Sequence, residues 1–283
     1  MRNSAIAAAI AGSLMVAGLG ISAAELKELR ENGSIRIAVY RDFFPFSDQT
    51  GGRIQGIDLE VGRSVAKKLG LAVDVMGLTA DESVSDDLRN AVWKGHYLGG
   101  GTADVMMHVP VDHGLAEEND EVRILAPYYR EEIAIAYDPL RIPQLGSLEA
   151  FAEEKIGVEL ETLSDSFLTA GLRGRLRGSV VHYTSTAAAA AALGRGEVAG
   201  VMGPRSVIEA SLGEQAKHFA IVPFTIPMRD ASVSGWNVGV ALKGDDEDLA
   251  AAVEEVVAAL RKDGTIARIF RDYGVTYVPP LQE

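Results

Sequence analysis

Five alternating segments in the first part of the chain restrict its fold more than any other feature. Ile35–Tyr40 is an apolar, β-rich run broken only by Arg36. Gly56-Ile57-Asp58 then opens a helical pattern with Leu59, Val61, Val65, Ala66 and Leu69 on one face, and Gly70 stops it. Leu71–Met76 reads as a second strand, Asp86–Val92 as a helix and Ala103–Met107 as a third strand. Strands separated by helices in this order require a parallel sheet with helices packed on its faces. In open sheets of this kind ligands bind beyond the carboxyl ends of the strands. Two such ends are visible, Tyr40–Phe46 and His108–Pro110, and they are predicted to face one another across a cleft.

The pattern restarts after Pro127-Tyr128-Tyr129-Arg130. Strands are expected at Glu132–Tyr137, Lys155–Glu159, Val180–Tyr183, Val198–Met202 and Phe219–Pro223. Between them, helices are expected at Ser166–Leu172, at the alanine run Ala187–Leu193 behind Thr184-Ser185-Thr186, and at Pro204–Leu212. Asn237–Leu242 returns as a strand. A long helix follows, with Asp245, Asp246, Glu247 and Asp248 at its start and Arg261 and Lys262 at its end, which suits the helix dipole. With 283 residues, the chain suits two α/β units better than one core.

Charge and cysteine content narrow the function. A formal charge of −13 opposes nucleic acid as a partner. The absence of cysteine excludes disulfides, thiolate nucleophiles and Cys-based metal sites. Arg2 followed by the small apolar run Ala5–Ile21 and by Ser22-Ala23-Ala24 reads as a secretory signal peptide, residues 1–24, cleaved after Ala24. The expectation is a periplasmic protein without a membrane span once the signal is removed.

Several pieces in register resemble type II periplasmic solute-binding proteins. They include Ile35-Arg36-Ile37-Ala38-Val39 with Phe44-Pro45-Phe46, Gly56-Ile57-Asp58-Leu59-Glu60-Val61, Gly101-Thr102-Ala103-Asp104-Val105 and Ala126-Pro127-Tyr128-Tyr129. Gly196-Glu197-Val198-Ala199-Gly200 and Asp263-Gly264-Thr265 extend the match nearly to the end. The resemblance implies two α/β lobes joined by two crossover strands around an interlobe cleft. Lobe 1 would be discontinuous, 25–128 plus 236–283, and lobe 2 would be 129–235. Amino-acid-binding members of the family place an arginine, in a Thr-x-x-Arg setting, shortly after the third strand and an acid after the strand corresponding to Val198–Met202. Here those positions read His108-Val109-Pro110-Val111-Asp112-His113 and Gly203-Pro204-Arg205. Losing both anchors removes the charge-assisted pair that holds a zwitterion.

The wording Trp93-Lys94-Gly95-His96-Tyr97-Leu98-Gly99-Gly100-Gly101, then Ala103 to Pro110, resembles a narrower subgroup. Its members are encoded alongside PQQ-dependent methanol and other alcohol dehydrogenases, the MoxJ/XoxJ type. That resemblance implies an accessory role, supporting maturation or activity of the quinoprotein by binding the enzyme or a small ligand. The alternative is an ABC-transporter substrate-binding protein for a small non-amino-acid solute. A dehydratase, the third class, would need a substrate-carboxylate arginine, which the His108–His113 segment lacks; the expectation is a binding protein and not an enzyme.

Candidate cleft residues are Tyr40, Phe43, Phe44, Phe46, His108, Pro110, Tyr129, Arg130, Glu161, Thr162 and Arg205. The three phenylalanines either line the cleft or form a cluster beneath it. Arg130 and Arg205 either reach the cleft or pair at the surface. Glu161-Thr162 stands at an expected helix start, where the family presents backbone N–H groups to an anion; a glutamate there would oppose one. Trp93, His96 and Tyr97 form either a partner-facing loop or a loop packed on its own lobe. The spacing of His96, His108 and His113 supports no metal site, and no cofactor is expected.

Overall fold

The computed structural model describes residues 22–228 and 232–281. The expected signal peptide lies outside the described residues except for its last three, which fall in the helix Ser22–Asn32. No helix among the described residues is long and apolar enough to cross a membrane.

Two sheet halves share one long strand. In the first half the order is Ala72–Leu78, Ser34–Tyr40, Val105–Pro110, Gly235–Lys243, then Val122–Glu132. The first three strands pair in parallel, as the alternating pattern requires, and Gly235–Lys243 returns antiparallel. In the second half the order is Val180–Tyr183, Ile156–Glu159, Gly200–Pro204 and Ile133–Tyr137, with Ala220–Pro223 on the far side of Ile133–Tyr137. Val122–Tyr137 is one 16-residue strand that changes partners between Glu132 and Ile133. The strand expected at Glu132–Tyr137 starts ten residues earlier; Pro127 lies in an irregularity and the strand continues through it.

Each half has its own apolar core. The first gathers Ile35, Ile37, Val61, Met107, Tyr128 and Phe270, the second Ile135, Phe151, Ile156, Leu168 and Met202. The half-buried Trp236 packs against both. Helix Ile57–Leu69 buries one face on the first sheet and ends at Gly70 in the left-handed conformation, where a Cβ is disfavoured. Helix Glu247–Lys262 carries Asp246 as its N-cap, the side chain accepting from the Leu249 amide at 3.1 Å.

Polar contacts concentrate where the long strand changes partners. Glu131 is buried, and its carboxylate accepts from the Ser206 hydroxyl and amide and from the Glu132 amide. Ser206 belongs to helix Arg205–Leu212 of the second half. On that helix Arg205 donates to Glu132 at 3.0 Å and to Glu209 at 2.8 Å. Glu209 in turn accepts from the amide and hydroxyl of Thr276, in the C-terminal tail. One short helix is thereby tied to both the strand and the tail.

Candidate ligand-binding site

The site begins with a mismatch in strand pairing. Gly239 lies opposite Val109 while Val240 lies opposite Met107, so His108 is the extra residue of a bulge, with φ +61°. On its other side, Val238 faces Tyr129 while Val240 faces Leu125, leaving Ala126, Pro127 and Tyr128 opposite the same glycine. A Cβ on Gly239 would collide with the Leu125 carbonyl oxygen and come within 2.8 Å of Val111 Cγ2. Only glycine lets two irregular strands close on this point.

The two irregularities aim side chains at the start of helix Ile57–Leu69. The buried Asp58 carboxylate accepts from Tyr128 Oη at 2.6 Å and meets His108 Nδ1 at 3.0 Å. A carboxylate accepts only, so Nδ1 carries the proton and Nε2 is left as the free polar atom of the ring. Phe46 packs against His108 with ring planes tilted by 58° and centroids 4.2 Å apart, and Phe43 meets it edge-on at 4.6 Å.

His108 opens onto a cavity of about 670 Å³ at the carboxyl ends of the first three strands. The strands diverge there from the central Ser34–Tyr40, which is where sheet topology places ligands. Tyr40, Phe43 and Pro110 line it with His108, and Trp236 contributes from the returning strand. Arg41, Asp42, the Leu78–Val84 segment and Asp87 complete the lining. Asp87 is buried and accepts from Tyr40 Oη at 2.7 Å and from the Asp81 amide at 2.8 Å. Burial pushes its carboxyl above the usual range; the two hydrogen bonds oppose that shift, and the charges of Asp81 and Asp86 add to it. Burial also raises the Tyr40 phenol, and the adjacent Asp87 charge adds to this.

The other sequence candidates fall elsewhere. Phe46 is beneath the cavity in the core, with Tyr129 and Phe270, and Phe44 is half-exposed outside the lining. Tyr129 is fully buried, its ring 4.4 Å from Phe270. Arg130 donates to Ser234 at 3.1 Å, and Arg205 is spent on Glu132 and Glu209. Glu161, at φ +65°, and Thr162 precede helix Leu163–Gly174. There Asp165 takes the Glu161 amide and Thr162 takes the Asp165 amide, so these two donors are already used within the chain. None of these residues lines the cavity.

Sequence reasoning passed over the Leu78–Asp87 wall. The signal was present: Ser83 caps helix Val84–Leu88 by accepting from the Asp86 amide, and a polar run before such a cap follows a parallel strand's carboxyl end. Within the helical segment predicted at Asp86–Val92, the regular helix stops at Leu88 and a π-helical turn runs from Arg89 to Trp93.

The loop after that turn is exposed at its tip. Tyr97 is 87% and Leu98 78% exposed, while Trp93 is half-buried against the core and carries Lys94 over its ring at 5.9 Å. The His96 ring lies tilted against Tyr97, centroids 4.4 Å apart, and accepts the Leu98 amide. Gly99, Gly100 and Gly101 have φ of +94°, +105° and +71°, conformations that L side chains rarely adopt.

No protein-family model matches the sequence, and no curated protein matches it. Solved structures do match. An ancestral cationic amino acid solute binding protein aligns with a TM-score of 0.68 and 20% identity, over 88% of this chain and 99% of its own. A polar amino acid ABC uptake transporter substrate binding protein from Streptococcus thermophilus gives 0.68 and 16%, over 89% and 90%. The second substrate binding domain of Lactococcus lactis GlnP, in an open conformation, gives 0.62 and 21%, over 85% and 95%. At these identities the likeness establishes the fold: the chain has the two-lobed type II periplasmic-binding-protein architecture.

Proposed function

We propose that this is a periplasmic, solute-binding-protein-like accessory factor of a quinoprotein (PQQ) methanol or alcohol dehydrogenase system. In this reading it supports the enzyme's maturation or activity by binding the enzyme or a small ligand, and it performs no catalysis of its own. The carrying observation is the Trp93–Pro110 segment. Its wording resembles the dehydrogenase-associated subgroup, and its loop displays Tyr97 and Leu98 to solvent on a backbone set by three glycines. Exposed aromatic and aliphatic side chains are suited to anchoring a protein partner. Residues 1–24 act as the export signal, and the lobes are 25–128 with 236–283, and 129–235.

The test is co-purification of the tagged full chain with the periplasmic quinoprotein, beside dehydrogenase activity in a deletion strain. Tyr97→Ala with Leu98→Ala should abolish co-purification while the fold is retained. Failure of the wild-type protein to bind, together with unchanged dehydrogenase activity in the deletion strain, would sink the proposal.

A second reading, delivery of a small non-amino-acid solute to an ABC transporter, is favoured by the 670 Å³ cavity, a volume suited to a small ligand. Three structural neighbours are named as amino-acid or ABC-transporter binding proteins. The missing arginine after Val105–Pro110 argues against a zwitterion in this chain.

A further inference from the structure

The polar groups around the cavity are strongly one-sided. Asp42, Asp81, Glu82 and Asp87 line it, and Arg41 is the one basic lining residue. Arg41 is turned to its own neighbours, donating from Nε to the Gly77 carbonyl at 3.0 Å and from Nη1 to Gln49 at 3.2 Å. Asp81 and Asp87 have both oxygens occupied by donors from the chain. The exposed carboxylates of Asp42 and Glu82 have no such donor among the described residues.

His108 is the second and independent observation. It is 9% exposed, its Nδ1 is tied to Asp58, and Nε2 has no protein partner among the described residues. In the neutral ring Nε2 is an acceptor. The cavity therefore offers His108 Nε2 and the carboxylates of Asp42 and Glu82, and Tyr40, Phe43 and Trp236 share its lining. Aromatic faces with carboxylates suit a cation that brings its own N–H donors.

We infer that the cavity is a site for a small organic ammonium compound lacking a carboxylate. Its ammonium group lies among Asp42, Glu82 and His108 Nε2, and its apolar body lies against Phe43 and Trp236. This inference concerns the cavity alone and holds whether or not the Tyr97 loop meets a dehydrogenase.

Three probes of matched shape separate head group from body: cyclohexylammonium, cyclohexanol and cyclohexanecarboxylate. Each is titrated into the full mature chain at pH 7.5 and low salt, with binding followed by calorimetry. The ammonium probe should bind at least about tenfold tighter than the carboxylate, a difference of ~1.4 kcal/mol. Asp42→Asn with Glu82→Gln should weaken the ammonium probe severalfold and leave cyclohexanol unchanged; both positions are exposed, so the fold is not at stake. His108→Asn, checked for folding by circular dichroism, should weaken it further. Equal or tighter carboxylate binding, an unchanged ammonium affinity in the double variant, or no saturable binding of any probe would overturn the inference. Those outcomes leave co-purification with the quinoprotein unaffected, so the two readings fail separately.

Discussion

Glu131 allows the electrostatics of the interlobe strand to be separated from its packing. Its side chain is 2% exposed, and burial pushes the carboxyl up from an ordinary 4.5 to about 7. The Ser206 hydroxyl and amide and the Glu132 amide pull it back down. Below pH 4.5 the group is protonated in the folded and unfolded chains alike and contributes nothing to the pH dependence. Between 4.5 and about 7 the unfolded chain releases a proton that the folded chain keeps, so stability falls as pH rises. Above that interval the carboxylate is charged in both states and the full cost is in place. From 4.5 to about 7, at ~1.4 kcal/mol per pH unit, that cost is about 3 kcal/mol.

Glu131→Gln keeps the shape and an acceptor for Ser206 but cannot ionise. Wild type and variant would be unfolded in urea at several pH values from 5 to 8, followed by tryptophan fluorescence. The stability of the wild type relative to the variant should fall by roughly 2–3 kcal/mol across that range. Taking the difference between the two proteins cancels Asp87, Asp104 and Asp246, whose carboxyls burial also raises. Parallel pH curves for the two proteins would refute the reasoning, because the buried carboxyl would then titrate as it does in the unfolded chain.

Gly239→Ala should cost about 3 kcal/mol or prevent folding, since its Cβ meets the Leu125 carbonyl and Val111 in a closed space; a denaturant melt measures it. Tyr128→Phe removes a 2.6 Å donor from the buried Asp58 and should cost ~1–3 kcal/mol in the same assay. Gly100→Ala has open space around its Cβ, so only the +105° backbone angle resists it, at ~1–3 kcal/mol. The Tyr97→Ala, Leu98→Ala pair should leave stability within ~0.5 kcal/mol, and a larger loss would mean the loop tip packs on its lobe.

Local pattern carried the strands of the parallel half, because each buried strand or amphipathic helix states its own period. Tyr40, Phe43, His108 and Pro110, at neighbouring strand ends, line one cavity; the two ends lie side by side, with Phe43 against His108, and do not face one another across a cleft. What stayed hidden depends on pairing between segments far apart in sequence. The sequence pattern places Pro127 ahead of the Glu132–Tyr137 strand and Gly239 inside the Asn237–Leu242 strand, and neither position shows its partner. Only when Gly235–Lys243 lies between Val105–Pro110 and Val122–Tyr137 do the two irregularities meet at that one glycine. That meeting turns His108 out of the pairing register and sets Tyr128 against Asp58, 70 residues away in sequence. A histidine at a strand end is ambiguous on its own. With Nδ1 fixed by a buried carboxylate and Nε2 left at a cavity wall, it becomes a group with one defined polar atom to offer a ligand.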